Sequence, residues 1–212
     1  SLIFNVKEEE VALFKEEWLN NPEKFKVLLD NIYLDSLTST DGLVLPQHVD
    51  GNIGLHYLTS AEGLVLPQYV GSTIDLHYLT SAEGLVLPES IGGDIYLNSL
   101  TSAEGLVLPK YVGRNIGLYS LTNAEGLVFP KSIGGDIFLN SLTNVEGLVL
   151  PESIGGDIYL NSLTSAEGLV LPHYFDLNKL YCPYNIKEEI MNNPDKYYMK
   201  PPTEEDKKGI KK

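Results

Sequence analysis

Apolar and polar residues alternate along this chain in short frames, and the frames recur every 21 residues. In the unit Ile95 to Asn115, IYLNSLTSAEGLVLPKYVGRN, the apolar positions are Ile95, Leu97, Leu100, Ala103, Leu106, Leu108 and Val112. Ile95-x-Leu97 and Leu106-x-Leu108 have the period of two that marks a strand with one buried face. Leu100 and Val112 turn inward after each. The unit therefore reads as two half-turns, each a strand, a corner and an inward apolar residue, with no room for a helix. It occurs seven times between Ile32 and Asn178 without insertion or deletion, punctuated by Pro46, Pro67, Pro88, Pro109, Pro130, Pro151 and Pro172. A coil that cannot bury its own apolar side is stabilised by the neighbours that cover it.

The predicted fold is mainly β: a seven-coil parallel β-solenoid with a short α-helical cap at each end. Residues 1–31 form the N-terminal cap, 32–178 the solenoid, and 179–212 the C-terminal cap and a polar tail. At ~4.8 Å per coil the array spans about 34 Å. Lys7–Asn20 carries Val11, Leu13, Phe14, Trp18 and Leu19 at helical spacing, and Ile186–Asn192 forms a shorter helix. The two segments echo each other, Leu19-Asn-Asn-Pro-Glu-Lys-Phe against Met191-Asn-Asn-Pro-Asp-Lys-Tyr. Capped ends do not stack on one another, so a monomer is expected. The chain from Pro201 reads as a frayed tail.

Fixed positions add detail. A glycine precedes every second strand (Gly42, Gly63, Gly84, Gly105, Gly126, Gly147, Gly168), which predicts a corner with positive φ. The threonine after each corner leucine is expected to bond the corner backbone or its neighbour in the next coil. Phe129 replaces a leucine and should find extra room or a local bulge.

Charge narrows the partners. The 212-residue chain carries a net charge of −14. The array holds 16 acids against 3 bases, while residues 179–212 are mildly basic. Direct binding to nucleic acid is disfavoured, and a protein with a basic surface is the natural complement. The lone Cys182 suits a reducing compartment, no signal peptide is visible, and no apolar run nears the ~20 residues of a membrane span. A cytoplasmic location without membrane contact is expected.

Three features are candidates for function. Two columns exchange rings: His48, Tyr69, Ser90, Tyr111, Ser132 and Ser153 against Gly54, Asp75, Tyr96, Gly117, Phe138 and Tyr159. In each pair one member is a ring, as if both columns filled the same space. His56, Tyr57, His77, Tyr78 and Tyr119 enlarge the set. The second feature is an acidic row before the corner glycines: Asp41, Glu62, Glu83, Glu104, Glu125, Glu146 and Glu167. Its density, one charge per ~2.6 Å of rod against ~1.7 Å for duplex DNA, suggests imitation of a phosphate backbone. The third is the histidine pair His56 and His77, one coil apart in one column. With His48 near, two or three histidines could bind zinc, but no fourth ligand is evident and Cys182 lies far along the chain, so no metal is expected. No phosphate loop, nucleophile elbow or His-Glu-x-x-His is present, so the chain reads as a non-enzyme without cofactors.

The phrase Leu-x-x-Ala-x-x-Leu-x-Leu-Pro resembles leucine-rich repeat proteins over the whole array. Those proteins carry Asn or Cys three residues after the second strand leucine. Here that column reads His48, Tyr69, Ser90, Tyr111, Ser132, Ser153 and Tyr174. The Asn ladder is taken as absent, and a straighter coil is expected. Acidic, DNA-mimicking pentapeptide-repeat solenoids are similar only in rod shape and charge. Neither resemblance transfers a functional residue. The expected function is a repeat scaffold that binds protein through an acidic, aromatic-bearing face. A nucleic-acid-mimicking inhibitor of phage or mobile-element type and a polysaccharide-binding solenoid are the alternatives. Candidate binding residues are His56, Tyr57, His77, Tyr78, Tyr111, Tyr119 and the glutamate row.

Overall fold

A strict 21-residue period brings the same residues of successive coils into register. A computed structural model of the protein describes residues 31–40, 43 and 45–200, together with the backbone of two strands, Phe4–Asn5 and Val27–Leu28. The expected N-terminal helix, Asp41, Gly42 and the tail from Pro201 lie outside the described residues.

Coils one to six each contribute two two-residue strands, coil seven contributes one, and all pairing is parallel. The first sheet stacks Phe4–Asn5, then Ile32–Tyr33 and its equivalents through Ile158–Tyr159, and ends on Leu180–Tyr181. The second stacks Val27–Leu28, then His48–Val49 and its equivalents through Ser153–Ile154. Like pairs with like: Ile116 lies beside Ile95 and Ile137. The result is a parallel β-solenoid of about seven coils. Its core is a set of lengthwise rows. The Ile, Leu, Leu and Leu rows, the Ala row (Thr40 in coil one, Val145 in coil six) and the Val or Ile of the second strand are almost all fully buried.

The second strand is not where alternation alone places it. Leu106-Val107-Leu108 keeps its alternating exposure, with Leu106 buried and Val107 74% exposed, yet the ladder forms after the proline, at Tyr111–Val112. Along the Leu-Val-Leu side the described residues make two isolated bridges, Val128 to Val149 between coils and Leu171 to Tyr198 of the C-terminal segment. Alternation reports which way side chains face, not how closely coils approach. The close approach occurs beside a second glycine column. A Cβ at Gly92, Gly113 or Gly134 would sit 2.0–2.1 Å from the carbonyl oxygen of the previous glycine in the row. Phe129 is only partly buried, as are Leu66, Leu87 and Leu108 before it in the column, whereas Leu45, Leu150 and Leu171 of that column are buried.

The corner glycines behave as expected. Gly63, Gly84, Gly105, Gly126, Gly147 and Gly168 have φ between 73° and 82°. Thr80, Thr122 and Thr164 hydroxyls donate to the carbonyl of the threonine one coil back, at 2.9–3.2 Å.

A side-chain ladder does exist, in a column other than the one expected to hold it. The residue before each first-strand Ile accepts the backbone N–H of its counterpart one coil on. Asn52 N donates to Asn31 Oδ1 (2.7 Å), Thr73 N to Asn52 Oδ1 (3.0 Å) and Asp94 N to Thr73 Oγ1 (3.2 Å). Asn115, Asp136 and Asp157 continue the row. The corner leaves one N–H per coil outside the sheet ladder, and a short polar side chain satisfies it.

The C-terminal segment closes the last coil. Leu180–Tyr181 adds a strand, and helix Tyr184–Asn192 buries Ile186 and Ile190. A short helix, Pro194–Tyr197, follows, and Leu171 exchanges backbone bonds with Tyr197 and Met199 (2.7 and 2.9 Å). The buried Tyr197 hydroxyl donates to Glu189.

Candidate functional site

Outward positions of the first sheet form two neighbouring columns. One reads Tyr33, Gly54, Asp75, Tyr96, Gly117, Phe138, Tyr159, Tyr181, and the other Asp35, His56, His77, Asn98, Tyr119, Asn140, Asn161. Where the first column lacks a ring, the second supplies one, at His56, His77 and Tyr119. Tyr119 fills the place beside Gly117. A Cβ on Gly117 would lie 2.9 Å from Tyr96 Cδ1 and 3.4 Å from Tyr119 Cε2. Rings then stack at 4.7–4.8 Å through Tyr119, Phe138, Tyr159 and Tyr181. Burial raises the phenol pKa of Tyr119 and Tyr159, helped by neighbouring tyrosines and by Asp136, with Asp157 adding at Tyr159.

The exchange inferred between His48-type and Gly54-type columns is organised differently. The two columns belong to different sheets, and their ring contacts run along each column. His48 stacks on Tyr69 at 4.4 Å in the second sheet. Among the described residues no ring contact joins the two columns. Tyr111 lies on the second sheet; Tyr119 shares the column of His56 and His77 but is separated from them by Asn98 and stacks on Phe138 instead.

Coils two and three gather the other four candidates. His56 stacks on His77 (4.8 Å) and Tyr57 on Tyr78 (5.4 Å, 8° between planes). Edge contacts of 5.0–5.1 Å link both histidines to the tyrosines. Tyr57 and Tyr78 are 53% and 43% exposed. In coils four, six and seven the same positions hold Asn-Ser, so the four rings are not a requirement of the coil.

Beside this cluster lies a notch of about 470 Å³ between Tyr33 and Tyr96, opened by Gly54 and Asp75 and lined also by Asp35, Asn52, Thr73 and His56. Tyr96 has its phenol pKa raised, first by burial and then by Asp94. Asp75 Oδ2 lies 3.1 Å from His56 Nδ1, and Asp75 Oδ1 accepts the backbone N–H of His77 at 3.0 Å. The Asn98 amide meets His77 Nδ1 at 2.9 Å. Asp75 and Asn98 carry no weight in the sequence reading. The available signal is that Asp75 is the sole acid in its column.

The glutamate row forms on a separate corner. Glu62, Glu83, Glu104, Glu125, Glu146 and Glu167 are all exposed. Each backbone N–H bonds a Ser or Asn side chain two residues earlier, at 3.1–3.3 Å. The row is thus held by local turns and stands apart from the ring cluster. Among the described residues no helix is long and apolar enough to cross a membrane. No known protein family, curated protein or solved structure matches the chain.

Proposed function

We propose that this protein is a non-enzymatic binding scaffold whose recognition site is the ring cluster of coils two and three. The observation that carries this reading is the replacement of Asn-Ser by His56-Tyr57 and His77-Tyr78 on a face where the plainer coils keep their core without them. Four mutually packed rings, partly exposed and backed by rigid ladders, offer apolar area at small entropic cost. The adjoining notch, with Asp35, Asn52, Thr73 and Asp75, gives such a surface polar partners for orientation. The fitting occupant is a protein whose basic or polar side chain enters the notch while its apolar surface covers Tyr57 and Tyr78.

The test is affinity capture from source cells with wild type and a quadruple variant, His56→Asn, Tyr57→Ser, His77→Asn and Tyr78→Ser, followed by direct titration of any purified partner. Partners held by wild type and lost by the variant support the reading. An unchanged partner set overturns it. A glycan array reads the carbohydrate alternative on the same two proteins.

A second reading rests on the glutamate row, an exposed line of like charge at coil spacing. In it the protein is a nucleic-acid mimic that occupies a basic enzyme. Failure to displace DNA or RNA from candidate basic enzymes at low salt rejects it.

A further inference from the structure

We propose that His56, Asp75 and His77 form a binding site for a divalent transition-metal ion of the zinc class. One ligand atom from each residue lies within 4.8 Å of the other two. Two imidazoles and one carboxylate are a donor set suited to zinc and its borderline neighbours, and poorly suited to calcium or magnesium, which take oxygen. The histidine column alone offers two ligands. The third, Asp75, comes from the adjacent column, where other coils carry glycine or a ring.

The donors are held in place before any ion arrives. Asp75 Oδ1 is fixed by the His77 backbone N–H, which leaves Oδ2 facing His56 Nδ1 at 3.1 Å. That separation already suits two ligands of one tetrahedral ion, whose donors stand ~3.4 Å apart for bonds of ~2.1 Å. The outermost pair closes by about 1.4 Å on the same estimate, within reach of side-chain rotation. Asn98 fixes the ring of His77 at Nδ1. Its buried Oδ1 has no hydrogen-bond partner among the described residues. With the amide turned over, Oδ1 accepts the Nδ1 proton and Nε2 keeps its lone pair, the usual outer support of a ligating imidazole. Three protein ligands leave a coordination position open for water or for a group brought by a partner. The site goes beyond the docking reading and does not depend on it.

The experiment is calorimetric titration of the full chain with zinc chloride, paired with visible absorption of the cobalt-loaded protein. Variants are His77→Asn, His56→Asn and Asp75→Asn, with His48→Ser and His173→Asn as controls. Asn and Ser already occupy the columns of His77 and His48 in other coils, and unfolding midpoints verify that each variant folds. The expected result is one ion per chain, weakened at least tenfold by each of the three site variants and unchanged by the controls. Absence of saturable 1:1 binding to wild type, binding unaltered by the site variants, or a cobalt spectrum of a purely aqueous octahedral ion overturns the proposal. No partner is present in this titration, so its failure leaves the docking reading intact. Capture repeated in EDTA tests that reading without metal.

Discussion

Coils two and three and coils six and seven share one interior and present different exteriors. Ile53, Leu55 and Leu58 are as fully buried as Ile137, Leu139 and Leu142. Outside, coils six and seven carry Phe138 and Tyr159 in a continuous ring stack, with Asn140-Ser141 and Asn161-Ser162 beside it. Coils two and three carry Gly54 and Asp75, a notch, and His-Tyr pairs. The difference teaches that the coil is specified from within and at its corners, so the outward columns of the first sheet are free to diverge. That freedom is why the irregular coils, not the most regular ones, are the place to look for recognition.

The comparison can be broken most severely at the glycine row that both regions share. Gly92→Ala in coil three and Gly155→Ala in coil six each drive a methyl into backbone, not into a flexible side chain. Each should cost about 3 kcal/mol or more, similarly in the two regions. Urea unfolding measures it, and a cheap substitution at either site would mean that coils part more easily than the geometry implies. Next is the polar ladder. Asn52→Ala and Asn115→Ala each orphan one backbone N–H, at about 1–3 kcal/mol, and each also removes a side-chain bond to a notch wall, Tyr33 and Tyr96 respectively. Urea unfolding measures both, and negligible loss at either site would mean that the ladder does little for the fold.

The quadruple ring variant should shift stability by under about 1 kcal/mol, because it installs what other coils already use. Thermal melts check this. A collapse in stability would make the rings structural and remove the argument for recognition. The smallest effect contrasts the array with its cap. The Tyr197 hydroxyl, and then Lys196, hold the Glu189 carboxyl below its usual range. A depressed carboxyl stabilises the folded cap above its unfolded value of ~4.3, and that contribution disappears as pH falls through the lower folded value. Hydrogen exchange over pH 5 to 3 should loosen Tyr184–Asn192 before the core rows, and Glu189→Gln should abolish the pH dependence.

Much of the architecture was legible because the physical causes repeat. Seven occurrences fix the period, the inward rows and the positive-φ corner at Gly63 and its equivalents beyond doubt of coincidence. The misplaced second strand has a different origin. Leu106-x-Leu108 announces an inward face, but ladder formation at Tyr111–Val112 depends on how closely Gly92, Gly113 and their row let coils approach, and glycine spacing carries no face. The side-chain ladder escaped notice because Asn, Thr and Asp share its column. Its common property is a short acceptor, not an identity. At the candidate site the four rings were legible as breaks in the repeat. The part played by Asp75 and Asn98 was not, since it arises only when two columns come to lie side by side.

The identical register of every coil has an evolutionary and engineering corollary. Excising one whole unit, such as Ile116 to Asp136, rejoins matching donors and acceptors and shortens the rod by ~4.8 Å. Removing 20 or 22 residues would leave one coil a residue too long or too short and break its ladders at that joint. Length is therefore adjustable in quanta, and a gene for such a rod can grow or shrink by whole-unit duplication without ever passing through an unfoldable intermediate.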